Sequence, residues 1–428
     1  MSKIKVALVN HFSTAEVRSH LDLHSAGKHA YRDYGLWNVN IINGLKNRDD
    51  IELHVVTPHI GMKRKTQVFT IGDVNYYFYN PDFQYPWAYF DHSFFSQKRR
   101  GYPRNRKIIN GFINKIQPDI VNLIGAENPY YAMSVLDMMN VPILIQLQTV
   151  YANPDRKKNT GSVDKERWNR ELMIFHKTPY KACTGRMYYD LVKGYEPHSI
   201  IFPRRWPASK FPEIPEVKKK YDFVFFAREL CKNKGFDNAI EAIARFAEFY
   251  PKARFLAIGK RDGDWPLFET RISELGLEKN LEIHGSFEKY TDMLQYVKQA
   301  RFALLPIKMD VLSGTILEAM HMGMPVVTSR TSGTPSLNEK RETVLISDIG
   351  DIDGLFQNMR MLYEDVSLQE KLTNNSSIYL QEKEEENAHN IEEMVNQFKA
   401  VIAHYRYGKP VPQELLYNID INTDYRKE

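Results

Sequence analysis

Cysteine is nearly absent. Only Cys183 and Cys231 occur among 428 residues, with no CxxC pair and no Cys/His spacing that would hold zinc. Such usage suits a reducing compartment and excludes a disulfide scaffold and a structural zinc site, so both are expected as buried free thiols. Long apolar runs are absent too. VPILIQL (141–147) and YDFVFFA (221–227) fall far short of the roughly 20 residues that span a bilayer, which excludes an integral membrane protein. The start, MSKIKVALVN, moves from two lysines into a strand-like run without a small-residue cleavage site, so secretory export is not expected. There is no GxxxxGK[ST] loop, which removes a P-loop NTPase, and no DxD pair placed for a metal. No repeat of about 20 to 50 residues and no low-complexity tract competes with a globular reading. Net charge is 58 minus 53, or +5, too small an excess to demand nucleic acid.

What is present is a repeating alternation of strands and helices. A hydrophobic share of 43% and a charged share of 26% are those of a folded chain, and 428 residues allow two or three domains. Strand-like runs occur at 5–10, 51–57, 119–124, 141–147 and 199–202, with helical segments between them. Leu36, Val39, Ile42 and Leu45 recur at spacings of three, the signature of an amphipathic helix. Residues 203–220, PRRWPASKFPEIPEVKKK, concentrate prolines and then lysines, which breaks both helix and sheet and marks a domain boundary. The pattern restarts with strands at 222–227, 253–258, 281–284, 302–306, 325–328 and 344–346. Helices are expected at 237–250, 266–275, 290–299, 315–322 and 352–363. Short continuous Val, Ile, Leu and Phe runs fit parallel sheets covered on both faces. The expected architecture is α/β, two doubly wound Rossmann-like domains facing each other across a cleft, with ligands at the carboxyl ends of the strands.

Two segments carry the chemistry. In FARELCKNKGFDNAIEAI (226–243) a buried strand ends at Arg228, and Lys234 and Gly235 follow just before a helix, so two cations flank that strand end. In MDVLSGTILEAMHMGMPVVTSRTSGTP (309–335) a strand end runs through a small-residue loop into a helix. Backbone N–H groups of Ser313, Gly314 and Thr315 are expected at that helix N-terminus, a natural anion site, and Gly314 admits a ligand close to the backbone. Asp310 and Glu318 bracket the loop. Two carboxylates and two cations around it suit a sugar attached to a nucleoside diphosphate.

These residues resemble the donor domain of the retaining GT-B glycosyltransferases of the glycosyl transferases group 1 family. The match rests on Arg228, on Lys234 and Gly235, and on Glu318, Ala319, Gly323, Pro325, Val326 and Val327, with IGKRDGD (258–264), LEKNLEIHGSF (277–287) and GTP (333–335) in the family's order. The resemblance covers about 222–365. The first half is similar more loosely, in strand order and in QPDIVNLIG (117–125). It implies a GT-B fold with an acceptor-side domain over 1–205, a nucleotide-sugar donor domain over 206–380, and a C-terminal helix and tail over 381–428 returning to the first domain. It implies a metal-independent transferase, with no cofactor, that moves a sugar from a nucleoside-diphosphate sugar to a hydroxyl of a glycan or lipid-linked acceptor with retention. Arg228 and Lys234 would bind the diphosphate and Glu318 the ribose hydroxyls. Asp310 stands where the family has a glutamate at the donor sugar, and Val311, Leu312 and Ser313 replace its Gly-Phe-Gly. Asn122 stands where the family has an acceptor-side histidine, which leaves His11 and Glu127 as polar replacements nearby.

Two other readings stay open at this stage: a sugar-nucleotide hydrolase or epimerase, and a non-catalytic GT-B subunit supporting a partner transferase. Neither base, sugar, acceptor nor oligomeric state is written in the sequence. Residues 85–107 mix aromatics with a basic cluster, and Asp91 is their only acid. They are either a surface loop and helix or a peripheral membrane contact of an otherwise cytoplasmic protein, rings at the headgroups and cations on anionic lipid. The run 382–393, with six glutamates against one lysine, reads as a solvated helix face.

Overall fold

The computed structural model describes residues 3–24, 33–81, 98–154, 156, 163–207, 211–261, 263–287, 289–309, 312–331 and 333–418. The chain divides into two compact units, one formed by 1–153, 164–209 and 386–422, the other by 154–163, 210–385 and 423–428.

Unit 1 is built on an eight-stranded sheet ordered β3-β4-β2-β1-β5-β6-β7-β8. Its strands are β1 (Ile4–Val9), β2 (Ile51–Pro58), β3 (Thr66–Ile71), β4 (Val74–Tyr79), β5 (Ile120–Ile124), β6 (Ile143–Gln146), β7 (Tyr180–Cys183) and β8 (Ile200–Pro203). All neighbours pair in parallel except β3 and β4, which form an antiparallel hairpin at the edge. That hairpin and β7 were not among the strands expected from the sequence. On one face, Val6, Leu8, Ile120 and Leu144 pack against Ile41, Ile42 and Leu45 of the helix Leu36–Lys46.

Unit 2 carries a six-stranded, wholly parallel sheet ordered β11-β10-β9-β12-β13-β14. These strands are β9 (Tyr221–Leu230), β10 (Phe255–Arg261), β11 (Leu281–His284), β12 (Ala300–Leu305), β13 (Val326–Ser329) and β14 (Leu345–Ser347). β9 shows why such runs lack polar alternation. Phe223 and Phe225 join one hydrophobic core and Val224 and Phe226 the other, none more than 1% exposed. The helix Phe236–Phe249 covers the first face through Ile240, Ile243 and Phe246, and the helix Gly314–His321 the second through Ile316, Ala319 and Met320. A strand covered on both sides has no water-facing edge of its pleat to make polar.

The C-terminal helix Asn390–Tyr407 belongs to unit 1. Met394, Val395, Phe398 and Val401 enter its core, Gln397 Nε2 donates to the Pro203 carbonyl at 2.8 Å, and Asn390 Nδ2 donates to the Trp206 carbonyl at 2.7 Å. Arg406 pairs with Asp119 at 2.8 Å. Phe398 is fully buried. Phe398→Ala is therefore expected to destabilise unit 1 by about 3 to 5 kcal/mol, the cost of a lost core aromatic plus its cavity. Chemical denaturation followed by tryptophan fluorescence measures this; a loss under about 1 kcal/mol would show that the helix is not part of this core.

Candidate active site

Strand order locates the site before any side chain is considered. In unit 2, β9 lies between β10 and β12. The connection from β9 leads to one side of the sheet, and β12 begins the other half. At such a reversal the loops leave in opposite directions and a crevice opens beyond the carboxyl ends of the two strands. Arg228 and the loop after β12 stand there.

The Arg228 side chain is 84% exposed, and its ionic partner is the neighbouring Glu229 at 3.8 Å. Lys234, half-buried, ends a short 3-10 turn, and Gly235 opens the helix behind it with φ of +78°. A Cβ at Gly235 would sit 1.7 Å from the Pro306 carbonyl oxygen. Only glycine permits both that backbone conformation and that approach. The loop is fastened further by Lys308, whose N–H donates to the Asn233 carbonyl at 3.3 Å and whose Nζ pairs with Asp237 at 2.6 Å. The Lys234-Gly235 turn is thus locked to the loop that leads into Ser313. Cys231, expected as buried, is only half-buried at the start of this turn, whereas Cys183 is fully enclosed. The turn closes tightly through the Lys234 N–H to the Cys231 carbonyl, and that leaves part of the residue at the surface.

Ser313 is the extended N-cap residue of the helix Gly314–His321, yet its hydroxyl bonds Thr315 Oγ1 at 3.0 Å instead of capping the helix. Gly314 is exposed. The start of this helix offers N–H donors and the positive end of its dipole without a side chain of its own to satisfy them. Asp310 and Val311 lie outside the described residues. Glu318, one turn on, accepts a hydrogen bond from the Tyr290 hydroxyl at 2.8 Å. Burial raises the Glu318 carboxyl above its usual range, and the Tyr290 bond offsets part of that rise. Burial and the Glu318 charge together push the Tyr290 phenol up. Nothing in sequence spacing pairs residues 28 positions apart, and Tyr290 was not among the sequence candidates.

Unit 1 repeats the reversal, with β1 between β2 and β5. His11 follows β1 and Glu127 follows β5, so both stand beyond adjacent strand ends. Asn122 does not join them: it sits inside β5, fully buried, and both polar atoms of its side chain lack a hydrogen-bond partner. A side chain two positions before the strand end on a covered sheet points into the core. His11 is ringed by Tyr34, Tyr130 and Tyr131 at centroid distances of 5.7, 6.1 and 5.6 Å.

Glu127 is 4% exposed. Its Oε1 accepts from Asn128 Nδ2 at 2.9 Å, while Oε2 has no partner among the described residues. Gly125, with φ of +89°, keeps the backbone clear of the polar tips around it: a Cβ would fall 2.6 Å from the Tyr131 hydroxyl and 3.1 Å from both Gln148 Nε2 and Glu127 Oε1. Arg167 donates through Nε to the Glu127 carbonyl at 2.6 Å. Burial pushes the Glu127 carboxyl up to about 7, against the pull of Arg167 and Arg204. Glu171, on the helix Lys165–Lys177, accepts the Tyr151 and Ala152 N–H groups at 3.0 and 2.6 Å, and burial raises it to about 8. Burial likewise lowers Arg204 to about 10. Arg167, Glu171 and Arg204 carried no motif, and only the folded chain brings them to Glu127. Of the basic segment, 85–97 lies outside the described residues, Arg99 and Arg100 are exposed, and Arg106 donates through Nε to Asp137 at 2.8 Å.

A carboxyl raised from 4.5 to about 7 contributes stability that is fully present below 4.5 and is lost as pH rises through 7. Glu127→Gln removes that loss. The unfolding midpoint of the variant relative to wild type is therefore expected to rise progressively between pH 5 and pH 8, which thermal denaturation at each pH measures. A difference that stays flat across this range would mean that Glu127 keeps its charge when folded.

With this geometry in hand, the similarities to known proteins are specific. Residues 208–378 match the family described as glycosyl transferases group 1. The 2-deoxystreptamine N-acetyl-D-glucosaminyltransferase of Niallia circulans is 23% identical over 150 residues, which is 35% of this chain and 38% of that protein. The alignment thus spans well under half of that relative. Among solved structures, the sucrose-phosphate synthase of Thermosynechococcus elongatus superposes with a TM-score of 0.68 at 14% identity, covering 93% of this chain and 100% of the other. The trehalose-6-phosphate protein of E. coli, bound with UDP-2-fluoro glucose, gives 0.65 at 11% identity, covering 92% and 99%. The segment 208–378 is a glycosyl transferases group 1 domain, set in a chain with the GT-B fold of two Rossmann-like units.

Proposed function

We propose that the protein is a glycosyltransferase that moves a sugar from a nucleoside-diphosphate sugar to a hydroxyl of a glycan or lipid-linked acceptor. The observation that carries this reading is the convergence of an exposed Arg228, the locked Lys234-Gly235 turn and an uncapped helix N-terminus at the strand reversal of a group 1 domain. Donor chemistry is supported by the UDP-2-fluoro glucose bound to the E. coli neighbour, and sugar transfer by the N-acetyl-D-glucosaminyl transfer named for the Niallia relative.

In the reaction the bond between the sugar's anomeric carbon and the diphosphate oxygen breaks, and its electrons leave with the diphosphate. A bond forms from the acceptor oxygen to the same carbon, and the acceptor proton passes to the departing phosphate. Departure and attack on one face of the sugar retain the anomeric configuration. Arg228, Lys234 and the N–H groups of Ser313, Gly314 and Thr315 absorb the developing charge, and Arg228 gives up its water to the diphosphate on binding. Within this reading no metal is required, Glu318 takes the ribose hydroxyls, Asp310 the donor sugar, and His11 and Glu127 the acceptor side.

Product analysis with uridine, adenosine and guanosine diphosphate sugars tests the reading. Transfer is expected to require an added acceptor and to persist in excess EDTA. Sugar release at the same rate without acceptor would replace transfer by hydrolysis, and loss in EDTA restored by Mg²⁺ would remove metal independence. Arg228→Ala and Lys234→Ala are each expected to lower turnover by on the order of 10² to 10³, the usual loss for one donor to transition-state charge. The unfolding midpoint of Arg228→Ala should not move, since that side chain lies in solvent. Near wild-type turnover in either folded variant would end the diphosphate assignment.

A further inference from the structure

Glu318 and Tyr290 form a pair that the donor reading alone does not require. Tyr290 opens the helix Tyr290–Val297, just beyond the loop after β11, and 41% of the residue is exposed. Its hydroxyl reaches across to Glu318 Oε1 on a separate helix. Oε2 of the same carboxylate accepts no hydrogen bond from the described residues. An ionised carboxylate offers about four lone-pair positions, so one bond from a phenol leaves room for two further donors. Two adjacent hydroxyls on one sugar ring supply that number.

We propose that Tyr290 is a positioning residue that fixes Glu318 to receive a ribose 2′,3′-diol, and that the pair thereby selects ribonucleotide donors over 2′-deoxyribonucleotide ones. The inference rests on the donor reading of this site. Tyrosine is suited to the task because it has few rotamers to lose and a donor at its tip. Among the described residues no other side chain bonds Glu318. Beneath its helix the cores of β12 and β13 contribute Leu305 and Val326, which are apolar. On its own helix His321 turns to stack on Phe211, with ring centroids 4.6 Å apart and planes 5° from parallel. Tyr290 is the titratable side chain that bonds Glu318.

The consequence for ligand choice is chemical. A carboxylate shielded from water and held by Tyr290 accepts from both sugar hydroxyls. A 2′-deoxy sugar lacks one donor and leaves a desolvated lone pair unpaired, a mismatch that sites built on hydroxyl recognition reject strongly. Without the phenol, Glu318 gains freedom to turn and more readily holds a proton, and a protonated carboxyl presents a donor where the diol needs an acceptor.

Isothermal titration of UDP, ADP and GDP, each beside its 2′-deoxy counterpart, tests this with wild type, Tyr290→Phe, Glu318→Gln and the double variant. Wild type is expected to prefer the ribose form of its best diphosphate by about tenfold or more, the worth of one hydrogen bond to a charged group. Tyr290→Phe should erode most of that preference, weakening the ribose form more than the deoxy form, and move the acid limb of binding to higher pH. The double variant should bind no more weakly than Glu318→Gln alone, as two members of one unit do. If Tyr290→Phe keeps both the ribose preference and the pH profile while wild type binds, the inference fails and the donor reading stands. Equal weakening of ribose and deoxy forms also overturns it, because that marks general damage. If wild type binds none of the six compounds, the donor reading fails and takes the inference with it.

Discussion

Parallel strands cannot be joined by tight turns, and both units are organised by that constraint. Each connection between parallel strands must cross a face of the sheet, and crossovers of one hand placed on either side of a first strand must run over opposite faces. In unit 2 this sends the helix Phe236–Phe249 to one core and the helix Gly314–His321 to the other. The loops that feed them separate just beyond β9 and β12. The opening is a product of topology, and the residues around it had only to be polar or small. Gly235 then draws the two sides together again, because its bare α carbon lets the turn lie on the Pro306 carbonyl. Sheet order makes the crevice, and a single close approach fixes its floor.

Much of this was legible in the sequence, and the limits follow from how each signal arises. Strands such as 222–227 and helices such as 237–250 announce themselves through local periodicity, which short-range sterics and burial impose. Arg228, Lys234 and Gly235 were legible because a strand end, a turn and a helix start fall within a few residues of one another. The β3–β4 hairpin also left a signal, Gly72-Asp73 between two runs rich in aromatic and β-branched residues, but it sits on an edge strand whose exposed side chains blur the apolar pattern. Tyr290 left none. Its meeting with Glu318 depends on how two helices at separate strand ends are set, which no local pattern records. Asn122 illustrates the opposite limit: the resemblance placed it at an acceptor-side motif position, and only the strand's register shows that its side chain turns into a covered core.

The two reversals differ in their electrostatics, and the difference bears on how each would work. Arg228 keeps most of its hydration, so holding its charge ready costs the fold little. In unit 1 desolvation is built into the fold. Glu127 and Glu171 are enclosed and Arg204 is partly buried, and desolvation is the leading influence on all three. Groups in that condition have their charge set by proton exchange more than by contact with solvent counter-ions. Glu171 spends its lone pairs on the Tyr151 and Ala152 N–H groups and so anchors a loop, whereas Glu127 Oε2 accepts no bond from another of the described residues. A carboxyl near neutrality with one uncommitted oxygen can accept a proton or give one up at little cost. The reversal in unit 2 therefore presents a fixed, hydrated charge, and the one in unit 1 a carboxyl whose charge can change.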